Sequence, residues 1–230
     1  MKKILFVIAM MSLTTLAWAD DTRDAADDRL HHAAEVLRQI MATPDKGIPE
    51  EVMDHAKCIA VVPHLVKGGF VFGAEGGRGV ATCRTSQGWS APAFFDVEGG
   101  SWGLQIGVEG IDLVMIIQND RGMQQLLGSK FQIGADASAA AGPVGRHASA
   151  DTDWKLNAEI LTYSRAKGIF AGLTLNGAAV HRDDDAMHAF YGPNVSTHDV
   201  LLGMVPPPPA STAFLDAVRS AHEQARAAQQ

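Results

Sequence analysis

YSRAKGIFAGLTLNG, Tyr163 to Gly177, places Ile169, Ala171, Leu173 and Leu175 at every second position, so their side chains share one face of a strand. Gly168, Gly172 and Gly177 interrupt the run. Strand interiors avoid glycine, which loses the most conformational entropy on folding and packs no side chain, so composition does not explain these positions. Arg165 and Lys167 stand just ahead of the run, next to Tyr163 and Ser164.

Strand signals dominate the chain on the N-terminal side of this run. Apolar or alternating segments predict strands over Cys58–Val62, Phe70–Ala74, Gly79–Arg84, Ala91–Val97, Leu104–Val108, Ile111–Ile117, Phe131–Asp136 and Lys155–Tyr163. Most connections are too short for crossover helices, which favours antiparallel pairing. Thr22–Ala42 reads as an amphipathic helix: Leu30, Ala33, Ala34, Leu37, Ile40 and Met41 recur at three- and four-residue steps, with Arg29, Glu35 and Arg38 outside that stripe. Its opening is rich in aspartate, which a helix dipole favours, and Thr43-Pro44 ends it. Short helices are expected over Pro49–Lys57 and Asn119–Gly128. Ala135–Asp153 is small, glycine-interrupted and reads as a loop. Pro206–Pro209 is a stiff polyproline spacer, and Ser211–Ala228 a last amphipathic helix carrying Phe214, Leu215, Val218 and Ala221. The expected class is α+β, a mainly antiparallel sheet with amphipathic helices at both ends.

Residues 1–19 read as a secretory signal peptide: Lys2 and Lys3, an apolar core over Ile4–Met11, and Ala17-Trp18-Ala19 as the cleavage site before Asp20. The expectation is a periplasmic chain, peripheral to the envelope membranes, divided into a signal peptide (1–19), one domain (20–205) and the spacer with its helix (206–230). The chain carries 19 Lys and Arg against 26 Asp and Glu, a net charge of −7; losing Lys2 and Lys3 leaves 17 against 26, or −9. Such an acidic chain is repelled by nucleic acid, so no nucleic-acid partner is expected. Cys58 and Cys83 lie in neighbouring expected strands and in an oxidising compartment most simply form one disulfide, worth roughly 3–4 kcal/mol in the chain-entropy view. The alternatives are a reactive thiol or metal ligation with His55 or His64, for which no CxxC or HExxH pattern is present.

Catalytic and cofactor motifs are weak. The cluster GAEGGRG, Gly73–Gly79, fits neither a dinucleotide fingerprint nor a phosphate loop, and reads as tight hairpin turns. Ser90 and Ser101 occupy no nucleophile elbow. His181 beside Asp183–Asp185 lacks the calcium-loop pattern and reads as an acidic helix start before Met187. The chain is therefore expected to be non-enzymatic, with no cofactor and no metal.

Several blocks carry a family resemblance. AKCIAVVP (Ala56–Pro63), VKGGFVFGAEGGRGVATCR (Val66–Arg84), GWSAPAFFDVEGGSWGLQIG (Gly88–Gly107), the Tyr163–Gly177 stretch and FYGPNVS (Phe190–Ser196) resemble, in this order, the motifs of the SYLF domain family. The resemblance implies a lipid-binding α/β domain with a BON-like core, and a membrane-active amphipathic segment near its start. The actin association of eukaryotic members is not carried over to an exported chain.

Two surfaces follow as candidate lipid-binding sites. One is the helix face of Leu30, Leu37, Ile40 and Met41, with Arg38 beside it; each large apolar side chain would contribute about 1.5–3 kcal/mol on burial in lipid. The other gathers Lys67, Arg78, Arg84, Arg165 and Lys167 around a lipid phosphate while acyl chains follow Phe70, Phe72 and Phe170. The expected partner is phospholipid or fatty acid, with a protein partner unspecified. The alternative is a structural or scaffolding protein that meets a protein partner through the proline spacer and the Phe214/Val218 face.

Overall fold

The computed structural model describes residues 2–43, 47–69, 72–102, 107–143, 158–166, 169–171 and 177–227, with side chains from Asp21 onward except at 72–73, 101–102, 107–109, 166, 169–171 and 226. Among the described residues ten strands form one sheet: β1 (Cys58–Gly69), β2 (Phe72–Thr85), β3 (Gly88–Trp89), β4 (Ala93–Trp102), β5 (Gly107–Ile117), β6 (Lys130–Gln132), β7 (Ala139–Ala141), β8 (Ile160–Ala166), β9 (Ile169–Ala171) and β10 (Ala179–Arg182). The order across the sheet is β6-β10-β4-β2-β1-β5-β8-β7, with β3 on β2 and β9 on β8. Every pairing is antiparallel except β7 with β8. The helices are α1 (Lys2–Met41), α2 (Glu50–His55), α3 (Asp120–Leu127), α4 (Asp184–Tyr191), α5 (Thr197–Leu201) and α6 (Thr212–Ala227). The α+β class holds. Among the described residues no helix is long and apolar enough to cross a membrane.

The strands are longer than the sequence predicts, and the physical reason is glycine. The Gly73–Gly79 cluster does not turn; it lies inside β2, which joins two expected strands into one. A Cβ on Gly79 would sit 2.2 Å from Cζ of Phe95, and one on Gly77 2.7 Å from Cγ1 of Val62. These glycines let neighbouring side chains lie flat across the strand, so the hairpin-turn reading gives way to close packing within the sheet. Strand β1 also outruns its expected end. Its register shifts between Val62 and Leu65, where Pro63 lacks a donor and His64 takes the left-handed conformation at φ 59°. The His64 amide donates to Asp112 Oδ1 at 3.3 Å, which holds the bulge to β5.

Helix α1 crosses β1, β2 and β5 and runs along α6 and α4. Ala26, Leu30, Ala33, Ala34, Leu37 and Ile40 are fully buried in that seam. The helix ends where Thr43 Oγ1 donates back to the Gln39 carbonyl. From the other side α6 buries Phe214, Leu215, Ala217, Val218, Ala221 and Ala225, so the Phe214/Val218 face is core and offers nothing to a partner. Arg38 Nη2 ties the two helices together by donating to the Ala213 carbonyl at 3.2 Å. Cys58 and Cys83 stand directly opposite in the β1–β2 ladder and form a disulfide, with Cα atoms 4.0 Å apart.

Candidate functional site

The expected basic cluster divides into separate ion pairs, and sheet register is the cause. Lys67 stands opposite Glu75 across β1 and β2, with Nζ 2.6 Å from Oε2. Arg78 faces Asp96 across β2 and β4, at 4.0 Å. Arg165 faces Asp112 across β8 and β5, with Nη2 3.0 Å from Oδ2. Directly opposed residues are the nearest neighbours a strand offers, so each cation meets its carboxylate before any ligand. Arg84 is used differently: it donates to the Ala56 and Met53 carbonyls at 3.1 and 3.0 Å, closing the end of α2, and its guanidinium lies 4.8 Å from the centre of the Trp89 ring. Phe70 and Lys167 lie outside the described residues, and Phe72 and Phe170 are placed by backbone alone.

The helix face fares likewise. Leu30, Leu37 and Ile40 are fully buried against the sheet and α6, and Met41 is half-buried against the same core. The expected lipid-facing stripe therefore packs inward instead. Tyr163, which opens the diagnostic stretch, is also core: its ring covers Gly142, where a Cβ would stand 2.2 Å from Cζ. Burial pushes its phenol well above the usual range.

A buried polar knot escaped the sequence reading. Arg29, assigned to the wet side of α1, is only 6% exposed and pairs with Asp183 at 2.9 Å. Its Nη1 also donates to the Gly79 carbonyl at 3.4 Å, and the guanidinium lies 5.3 Å from the Phe94 ring centre. Asp183 uses its other oxygen to cap α4 through the Ala186 amide. Asp96 lies within reach of the same charges. Burial first, and the Asp183 charge second, hold its carboxyl above the usual carboxylate range against the lowering pull of Arg29 and Arg78. The knot fixes α1 to β2 and α4. A pocket between β4, β10 and α5, lined by Phe94, Phe95, Phe131, Val180, Arg182 and Thr197, holds only about 10 Å³, room for about one water and too little for a ligand.

What the described surface leaves open is a connection. The exposed large apolar side chains are Val66 at 48%, Leu202 at 38% and Met204 at 61%. Two of these three stand within four residues of Pro206, the first of the four prolines Pro206–Pro209, on the link from α5 to α6. Among the described residues no group of three or more His, Cys, Asp or Glu side chains is arranged to hold a metal ion.

These features define an α+β sheet domain clasped by its two terminal helices, with Lys67, Arg78 and Arg165 committed to internal pairs and two of the three exposed large apolar side chains of the described residues on one link. The chain belongs to the Ysc84 (SYLF) family: the model described as Ysc84, Las17-binding protein actin regulator, matches residues 98–221. It is 34% identical over 183 residues to the SH3 domain-containing YSC84-like protein 1 of Rattus norvegicus, covering 76% of this chain and 54% of that protein. The Homo sapiens protein of the same name is 33% identical over 183 residues, covering 76% and 53%. LAS seventeen-binding protein 3 of Saccharomyces cerevisiae is 34% identical over 172 residues, covering 72% and 37%. The chain thus spans about half the length of the first two relatives, and less of the third. These names correct the expected partner. The sequence reading expects phospholipid or fatty acid, whereas the family and its yeast member are named for binding a protein.

Proposed function

We propose that this chain is an exported, non-enzymatic protein-interaction module that supports its compartment by holding a protein partner. The observation that carries the reading is the placement of apolar surface: the α1 stripe and the α6 face are spent inside the fold, while Leu202 and Met204 stand outside it. Contiguous apolar surface, rather than a single exposed side chain, marks a protein contact, and Leu202, Met204 and the exposed Pro206 and Pro207 lie together on one link. Kinship with proteins named for a protein ligand supports the same reading. Export is supported by the charge and cleavage pattern of residues 1–19 and by the Cys58–Cys83 bridge, since such bonds persist in oxidising compartments. What relatives are named for, Las17 binding and actin regulation, stays with them; here the proposal is a protein contact of the same broad kind.

Lysine-reactive crosslinking in intact cells, read by mass spectrometry, tests this. The expected result is a discrete heterologous adduct of constant mass with this chain. Self-adducts alone, or none, would contradict it. Fractionation of the same cells locates the chain: recovery with the periplasmic contents and loss of residues 1–19 is expected, and a cytosolic chain with Met1 retained would contradict export.

A further inference from the structure

We propose that the Leu202–Pro209 link is a ready-formed polyproline ligand, seated by an aromatic-lined groove on the partner protein. The inference rests on the protein-interaction reading and names the chemistry of its partner. Proline locks φ and carries no amide hydrogen, so four in succession cannot join a sheet edge and instead favour the extended left-handed helix with three residues per turn. Pro208 has the dihedrals of that helix, φ −67° and ψ 155°. The run ends at Pro209, which opens a 3-10 turn over Pro209–Ser211; at the rise of about 3.1 Å per residue of that helix, Pro206 and Pro209 would fall on the same edge about 9 Å apart. Pro206, Pro207 and Pro209 are exposed, whereas Val205 and Ala210 pack on the core and anchor the run from below.

Both ends of the link are tied down. Gly203 turns with φ 78°, its amide donating to the Val200 carbonyl, and the Met204 amide donates to the Asp199 carbonyl at 2.9 Å. At the far end Ser211 Oγ donates to the Pro208 carbonyl at 2.6 Å and Thr212 Oγ1 to the Pro209 carbonyl at 2.7 Å. A ligand already held in its bound shape gives up little freedom on docking. The chain carries no charge from Leu202 to Thr212. Recognition therefore falls to ring faces stacking on proline and to Met204 and Leu202 flanking them, which is what an aromatic polyproline groove supplies.

The test titrates the full chain into isolated SH3, WW and EVH1 domains, used as probes of aromatic polyproline grooves, following the fluorescence of groove tryptophans. At least one should saturate, with affinity changing less than about twofold between roughly 50 and 500 mM salt, because no ion pair is involved. Met204→Lys and the pair Pro206→Ala/Pro209→Ala should each weaken it about tenfold or more, with circular dichroism and Tm confirming the fold. Failure of all three domains to bind, affinity unmoved by both variants, or a steep salt dependence overturns the proposal, as does binding to phosphatidylglycerol vesicles with the same sensitivity to both variants. A cellular crosslink that persists in both variants overturns this inference and leaves the protein-interaction reading standing. Loss of every heterologous crosslink in the wild type overturns that reading itself.

Discussion

The α1 stripe and the Leu202–Pro209 link are both apolar in sequence, yet they end on opposite sides of the boundary with water. Leu30, Leu37 and Ile40 recur at helical spacing, and a helix can turn such a stripe entirely inward against β1, β2 and α6. The link has no period to turn: Pro206–Pro208 hold the chain extended until a 3-10 turn begins at Pro209, so Met204 and Pro206–Pro207 stay outside while Val205 alone reaches the core. Apolar content says what avoids water. Backbone conformation decides whether it can.

Mutations that separate these two regions should differ sharply in cost. Arg29→Ala strikes the closed side hardest, because it leaves the Asp183 carboxylate buried without its cation. A loss of about 3–5 kcal/mol in urea unfolding is expected. Replacing Cys58 and Cys83 together by alanine frees the loop between them and should lower stability by roughly 3–4 kcal/mol. Leu37→Ala, a cavity under α1, should cost about 3 kcal/mol.

A pH series sharpens the same seam. The folded carboxyl of Asp96 holds its proton to higher pH than the unfolded one, so the folded state binds more protons in the window between the two values. Stability should therefore fall as pH rises through that window from about pH 4, and Asp96→Asn should flatten the decline and raise the urea midpoint at about pH 7. On the open side, Met204→Lys should move stability by no more than about 0.5 kcal/mol.

Much of the fold was legible in the residues. Alternation placed the first half of β1, β4 and the second half of β5, and helix signals placed α2, α3, α6 and the end of α1 within a few residues of their observed bounds, whereas α1 begins at Lys2, twenty residues before the expected Thr22. The cap of α3 follows the sequence directly: Asn119 Oδ1 accepts from the Gly122 amide. The two cysteines pair because neighbouring strands put them face to face. What escaped depended on register or on distant chain. Lys67 reads as free charge until β2 brings Glu75 opposite, and Arg29 reads as solvated until Asp183 arrives from 154 residues away. The Gly77 and Gly79 positions look like turns until Val62 and Phe95 are seen lying over them. The last strand, β10, was missed because four residues of mixed polarity between His181 and its neighbours carry no period of their own. Leu202 and Met204 were visible as apolar residues beside a proline run, but only burial separates them from their packed neighbours.

Limited peroxide oxidation, read residue by residue by peptide mass spectrometry with and without bound protein partner, tests the central claim most directly. Met204 stands in water while Met53 and Met115 are buried, so Met204 should form sulfoxide at nearly the rate of a free methionine, the other two should stay reduced, and the partner should protect Met204. Rapid oxidation of Met53 and Met115 in the folded chain, or a Met204 that the bound partner leaves unprotected, would contradict the account.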